Sequence, residues 1–128
     1  MVLDSSAIVA ILLKEPACER LLEAMESAEV IVVGAPTVFE TAMVLTTRMG
    51  QDSRPLISSF LRRLEAEVVP FNQDHLDAAA AAFLRFGRRR HPAGLNSGDC
   101  MSYAVAAVAG MPLLFTGGDF AQTDIEPA

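Results

Sequence analysis

The chain has 128 residues, 52% of them apolar, with a mean hydropathy of +0.34, which is enough to build one self-sufficient core and predicts a single domain over residues 1–128. Ten Lys plus Arg against sixteen Asp plus Glu leave a net charge of −6. That balance argues against a protein that coats nucleic acid nonspecifically, while leaving room for a local basic site.

Val2–Leu3 reads as a very short strand, and the Ser5–Ser6 pair after it suits the start of a helix through Leu13. Pro16 opens a second helix, PACERLLEAMESAE, with Cys18, Leu21, Leu22 and Met25 on one face and Glu19, Glu23 and Glu26 on the other. The β-branched run Val30–Val33, closed by Gly34, predicts a second strand. Pro36 begins a third helix reaching about Met49. GQDSRP is then a loop, with Ser53 or Asp52 capping a fourth helix that carries Pro55 in its first turn. Val68 and Val69 form a third strand. The alanine-rich DHLDAAAAAFLRF predicts a helix from Asn72 or Asp74 to about Phe86, stopped at Gly87. The basic loop GRRRHPAGLNSG leads to a helix from about Asp99 to Ala109, and then to a strand Leu113–Phe115.

Strands as apolar as VIVV and LLF need burial on both faces, so this alternation predicts an α/β fold with a mostly parallel central sheet covered on both sides. Cys18 and Cys100 lie far apart, without CxxC spacing or paired histidines, which points away from a disulfide framework or a zinc site and toward a reducing cytoplasm. The apolar run Ala7–Leu13 is shorter than the ~20 residues a bilayer span needs, and no secretion signal is expected.

Four acids occupy unusual places. Asp4 follows the first strand, where ligands bind in open parallel sheets, although a helix N-cap explains it equally well. Glu40 is the only charge between Pro36 and Arg48; with Thr37 and Thr41 around it, it also reads as a modest solvated stripe. Asp99 sits in the first turn of its helix, favoured there by the macrodipole, yet Asn96 or Ser97 already supplies a cap. Asp119 follows the last strand in TGGDF, where an Asp often bonds only its own backbone. Brought to one sheet edge, the four would repel one another unless a cation neutralised them, and an all-oxygen donor set suits Mg²⁺ or Mn²⁺.

MVLDSSA, PTVFETA, LNSGDCMSYA and LLFTGGDFAQTDI, in that order and across essentially the whole chain, resemble the signature segments of PIN-domain ribonucleases, specifically the VapC toxins of toxin–antitoxin pairs. The resemblance implies a PIN-like three-layer α/β/α fold and a metal-dependent endoribonuclease, with Asp4, Glu40, Asp99 and Asp119 as both the catalytic and the metal-holding quartet. It further implies supporting roles for Ser6, Asn96 and Thr116, a cognate VapB-like antitoxin, an RNA substrate and a homodimer. Ser97 departs from the pattern, since relatives commonly carry an aromatic residue there. Asp124 is an alternative fourth acid, ranked below Asp119 because it lies further from the strand end.

Arg88, Arg89 and Arg90 are candidates for phosphate contacts, or equally a solvated helix end. Tyr103 is expected in the core rather than as a base-stacking platform. Two other readings remain: a Mg-dependent phosphatase or phosphotransfer domain, which usually needs a second acid near Asp4 and a nearby lysine, and a catalytically inactive PIN-like binding module.

Overall fold

In the computed structural model, which describes residues 1–128, four strands and six helices alternate: β1 Val2–Leu3, α1 Ser5–Leu12, α2 Cys18–Glu26, β2 Val32–Gly34, α3 Ala35–Met49, α4 Arg54–Arg63, β3 Glu67–Val69, α5 Gln73–Phe86, α6 Ser97–Ala109 and β4 Leu113–Leu114. The sheet order is β3-β2-β1-β4 and every pairing is parallel. The chain steps outward from β1 to β2 and β3, then returns past β1 to lay down β4. Strand order therefore reverses between β1 and β4, and a crevice opens at their carboxyl ends.

The alternation of side chains across this short sheet produces two cores. Leu3, Val33 and Leu114 point into one, with Ala7, Ile8 and Ile11 of α1, Leu21 and Met25 of α2, Leu45 of α3 and Ile57 and Leu61 of α4. Val2, Val32 and Leu113 point into the other, with Ala82 and Phe86 of α5 and Cys100, Tyr103, Val105 and Ala106 of α6. The expected two-sided burial of an α/β sheet follows directly from this period of two.

Several boundaries move for identifiable reasons. β2 begins at Val32 rather than Val30, because its register is set by Val2 on one side and Glu67 on the other, which leaves Val30 half-exposed. α6 begins at Ser97 rather than Asp99, because Asn96 accepts from the Asp99 amide and Asp99 accepts from the Asn96 amide, a reciprocal capping box. A 3₁₀ turn at Phe120–Gln122, absent from the sequence reading, follows the glycine loop after β4. No helix is long and apolar enough to cross a membrane.

Candidate active site

Asp4 leaves β1 in extended conformation and caps α1: its Oδ2 accepts from the Ser6 amide at 3.0 Å and from the Ser6 hydroxyl at 2.6 Å. Neither Ser5 nor Ser6 takes that role. The same Ser6 hydroxyl accepts from the Thr116 amide at 3.0 Å, stitching the end of β1 to the chain leaving β4. Thr116 thus supports the site through its backbone N–H. Asp4 is buried, yet no buried polar side-chain atom lacks a partner, so its second oxygen opens onto the crevice.

Asp99 has a matching arrangement. Its Oδ2 accepts from the Asn96 amide at 2.9 Å, and its second oxygen makes no hydrogen bond to the protein. In both residues the capping role and a free oxygen coexist, so the two readings of each acid are compatible.

Glu40 lies against the start of α6. A Cβ built at position 98 would stand 2.8 Å from the Glu40 carboxyl carbon, so glycine is what leaves room for the Glu40 carboxylate against the helix start. The expected solvated stripe is corrected: Thr37 and Thr41 are buried, Thr41 donates to the Thr37 carbonyl, and the Thr37 and Ser102 hydroxyls bond at 3.1 Å. Thr37 precedes Glu40 by one turn and Ser102 follows Asp99 by one turn, so this bond couples the helices that carry the two acids. A small hydroxyl one turn from each acid was the available signal.

The electrostatics show four charges sharing one field. Burial pushes the Glu40 carboxyl up, Asp4 and Asp99 push it further, and the Ser5 side chain offsets part of this. Burial also raises the Asp99 carboxyl; the Asn96 amide opposes, Asp4 and Asp119 add to the rise, and Arg88 opposes. Asp119, exposed on the loop after β4, is thus near enough to act on the charge of Asp99, although its side chain makes no cap bond. No three His, Cys, Asp or Glu side chains close into a tight cage in this conformation. Bare carboxylates repel, and the cap bonds hold Asp4 and Asp99 on their own helix starts.

The basic run separates. Arg88 acts on Asp99 and lines an open cavity with Phe39, Glu40, Asn96, Ser97 and Met101. Arg89 occupies a left-handed turn at φ 64°, and the Arg90 guanidinium lies 5.3 Å from the Phe83 ring centroid. Asp124 has both oxygens engaged, one by Tyr103 at 2.7 Å and the other by Arg85 at 2.9 Å. Lys14, the chain's only lysine, follows the far end of α1 from Asp4, where it cannot hold a phosphate on that acid.

A family model described as PIN domain matches residues 1–126. The chain is similar to Ribonuclease VapC30 of Mycobacterium tuberculosis, 42% identical over 125 residues that cover 98% of this chain and 95% of that protein. It is 43% identical over 125 residues to Ribonuclease VapC of Mycolicibacterium smegmatis, covering 98% and 97%. Among solved structures, M. tuberculosis VapC20, described as a Sarcin-Ricin loop cleaving toxin, superposes with a TM-score of 0.77 at 20% identity over 99% of this chain and 97% of that one. A toxin-antitoxin complex from Klebsiella pneumoniae gives 0.70 at 18% identity, covering 96% and 92%. These two likenesses speak to the fold.

Proposed function

We propose, for a chain that belongs to the PIN-domain family and to its VapC ribonucleases, that it hydrolyses RNA phosphodiester bonds as the toxin of a toxin–antitoxin pair, at Asp4, Glu40, Asp99 and Asp119. The observation that carries this reading is the shared field of those four acids where strand order reverses.

The residues fit a hard divalent cation. Their donors are all oxygen, Asp4 and Asp99 each keep one oxygen free of protein bonds, and the neighbouring acids raise the Glu40 and Asp99 carboxyls in a way a cation would relieve. Mg²⁺ or Mn²⁺ would be held by Asp4 and Asp99, with Glu40 and Asp119 completing the set. When bound, the ion neutralises charge developing on the phosphoryl oxygens and lowers the pKa of water. Glu40, with its carboxyl raised by burial and by Asp4, is placed to take the proton of an attacking water. Arg88 and the Asn96 carboxamide line the open cavity beside the acids and supply donors for an incoming phosphate, with Phe39 and Met101 as its apolar wall.

The apolar groove of Leu12, Leu22, Leu56, Phe60 and Leu64 lies away from the acids and supports binding of a cognate antitoxin segment. Exposed Leu76, Phe83 and Leu84 on α5 support a homodimer.

The test is direct. Purified chain is incubated with total RNA plus Mn²⁺ or Mg²⁺, and cut ends are sequenced. New 3′ ends that vanish with chelator and return with metal are the expected result; cutting that persists undiminished in chelator would defeat the assignment.

A further inference from the structure

Two of the signature segments are bonded to each other by groups that the nuclease chemistry leaves unused. On α6, one turn beyond Asp99, the Tyr103 hydroxyl donates to Asp124 Oδ1 at 2.7 Å, while Arg85 of α5 donates to Asp124 Oδ2 at 2.9 Å. Tyr103 is only 9% exposed and packs on Phe86, so its hydroxyl is fixed by the core. The Arg85 guanidinium lies over the same Phe86 ring, 4.5 Å from its centroid.

From Asp124 back to Asp119 the chain has little freedom. Thr123 donates to the Phe120 carbonyl through both its amide and its hydroxyl, Phe120 is buried, and its ring meets Phe115 at 5.1 Å. On the other side of Asp119 stand Gly117, at φ +85°, and Gly118. Such a stretch carries the largest conformational freedom a chain has, and it is closed upstream only by the Thr116–Ser6 bond. Asp119 has no side-chain cap bond of its own, so its location follows from the ties on either side, which include buried Phe120 beside it and the Leu113–Pro127 bridge beyond Asp124.

We propose that Tyr103, Asp124 and Arg85 form a clamp that positions Asp119 against Asp99 and thereby sets the affinity of the acidic cluster for its divalent ion, an inference that rests on the ribonuclease reading of those acids. Asp124 is in this view a positioning residue. The two acids of the one segment LLFTGGDFAQTDI divide the work: Asp119 acts in the acidic cluster, and Asp124 holds the loop that carries it. The sequence of contacts runs from α6, which bears Asp99, through Tyr103 to Asp124 and back along the 3₁₀ turn to Asp119, so both acids are referred to one helix.

Tyr103 is the only tyrosine and the chain has no tryptophan, so an optical signal reports this one contact. The phenol is pushed up to about 12 from its ordinary 10.0 by burial and by Asp124. Asp124→Asn should lower the pH at which the tyrosine ionises, while burial still keeps it above the ordinary value. Ionisation of wild type in the ordinary range would mean that the clamp does not form.

The functional arm is a double-mutant cycle read by Mn²⁺ calorimetry on the folded, metal-free protein. Tyr103→Phe, which removes one hydroxyl and keeps the ring, is expected to weaken Mn²⁺ binding about tenfold, and to cost nothing further when Asp119 is already Asn. Asp124→Asn gives a second route to the same cycle at a more exposed position. Equal Mn²⁺ affinity for wild type and Tyr103→Phe, or an equal loss in both backgrounds, would overturn the clamp and leave the ribonuclease reading standing. A wild type that takes up no Mn²⁺ would overturn that reading itself, and the clamp with it.

Discussion

Asp119 acts on the charge of Asp99, but the two are held in opposite ways. Asp99 belongs to a regular helix, bonded into a capping box and locked to α3 through the Thr37–Ser102 pair. Asp119 rides on a loop with two glycines and depends on ties several residues away. One half of the site is therefore preorganised by secondary structure and the other by tertiary contacts. Burial acts on them unequally as well: Asp99 is half-buried and Asp119 exposed. The lesson is that removing charge from the first half should abolish function, while disturbing the second should tune it.

The largest expected effect tests that contrast head-on. Asp99→Asn keeps an acceptor for the Asn96 amide, so circular dichroism should be unchanged while RNA cleavage falls by about 10²–10³-fold. Asp119→Asn should lose about tenfold. Equal losses in parallel cleavage assays would erase the distinction between the halves.

Next comes Gly98→Ala. Alanine suits a helix better than glycine by about 1 kcal/mol, so urea melts should show no loss of stability from the backbone. The added methyl displaces the Glu40 carboxylate, and Mn²⁺ affinity should fall about tenfold in the same preparation. Unaltered Mn²⁺ binding would mean that Glu40 is not part of the ligand set.

A smaller effect separates the arginines. Arg88→Gln should lower the salt dependence of RNA binding by about one unit of log–log slope, because Arg88 alone of the run acts on Asp99. Arg90→Gln, whose guanidinium rests on Phe83, should change it less. A filter-binding series from low to high salt reads both.

The smallest effect is on stability. Asp99 and Glu40 have folded-state pKa values above their ordinary 3.8 and 4.5. Across the interval between ordinary and raised values these two carboxyls bind more protons in the folded chain than in the unfolded one, so their contribution to metal-free stability declines as pH rises through it. Compared with the variant lacking both charges, chelated wild type should gain melting temperature toward the acidic end of that window, and Mn²⁺ should reverse the trend by competing with protons. The Asp99→Asn, Glu40→Gln double variant should flatten the slope in the absence of metal.

Much of this was legible without coordinates because it is local. Hydrophobic period, Pro at helix starts and Gly at helix ends located the elements, and the four acids were conspicuous as lone charges beside strand ends. What was not legible depends on pairing at a distance. Thr37 looked like a solvated neighbour of Glu40 until α6 placed Ser102 against it. Asp4 and Ser6 looked like rival caps, whereas the carboxylate accepts from the serine hydroxyl, which then reaches Thr116, 110 residues away. Asp124 competed with Asp119 as a ligand until Tyr103 and Arg85 were seen to take both its oxygens. The position of β2 shifted for the same reason: register belongs to the partner strands, and a run of four β-branched residues does not reveal that only its last two, with Gly34, will pair.

The start of α1 has a genetic consequence. Since the side chain at position 4 both begins the helix and keeps an oxygen open to the crevice, most replacements there would remove the chemistry and also cost about 1 kcal/mol of stability through the lost cap. Asparagine escapes the second of these losses, because its carboxamide begins a helix as well as the carboxylate does. An aspartate codon becomes an asparagine codon by changing a single base. A population harmed by this protein thus has a one-step path to a silent copy that keeps its form and still occupies the surfaces that its partners bind.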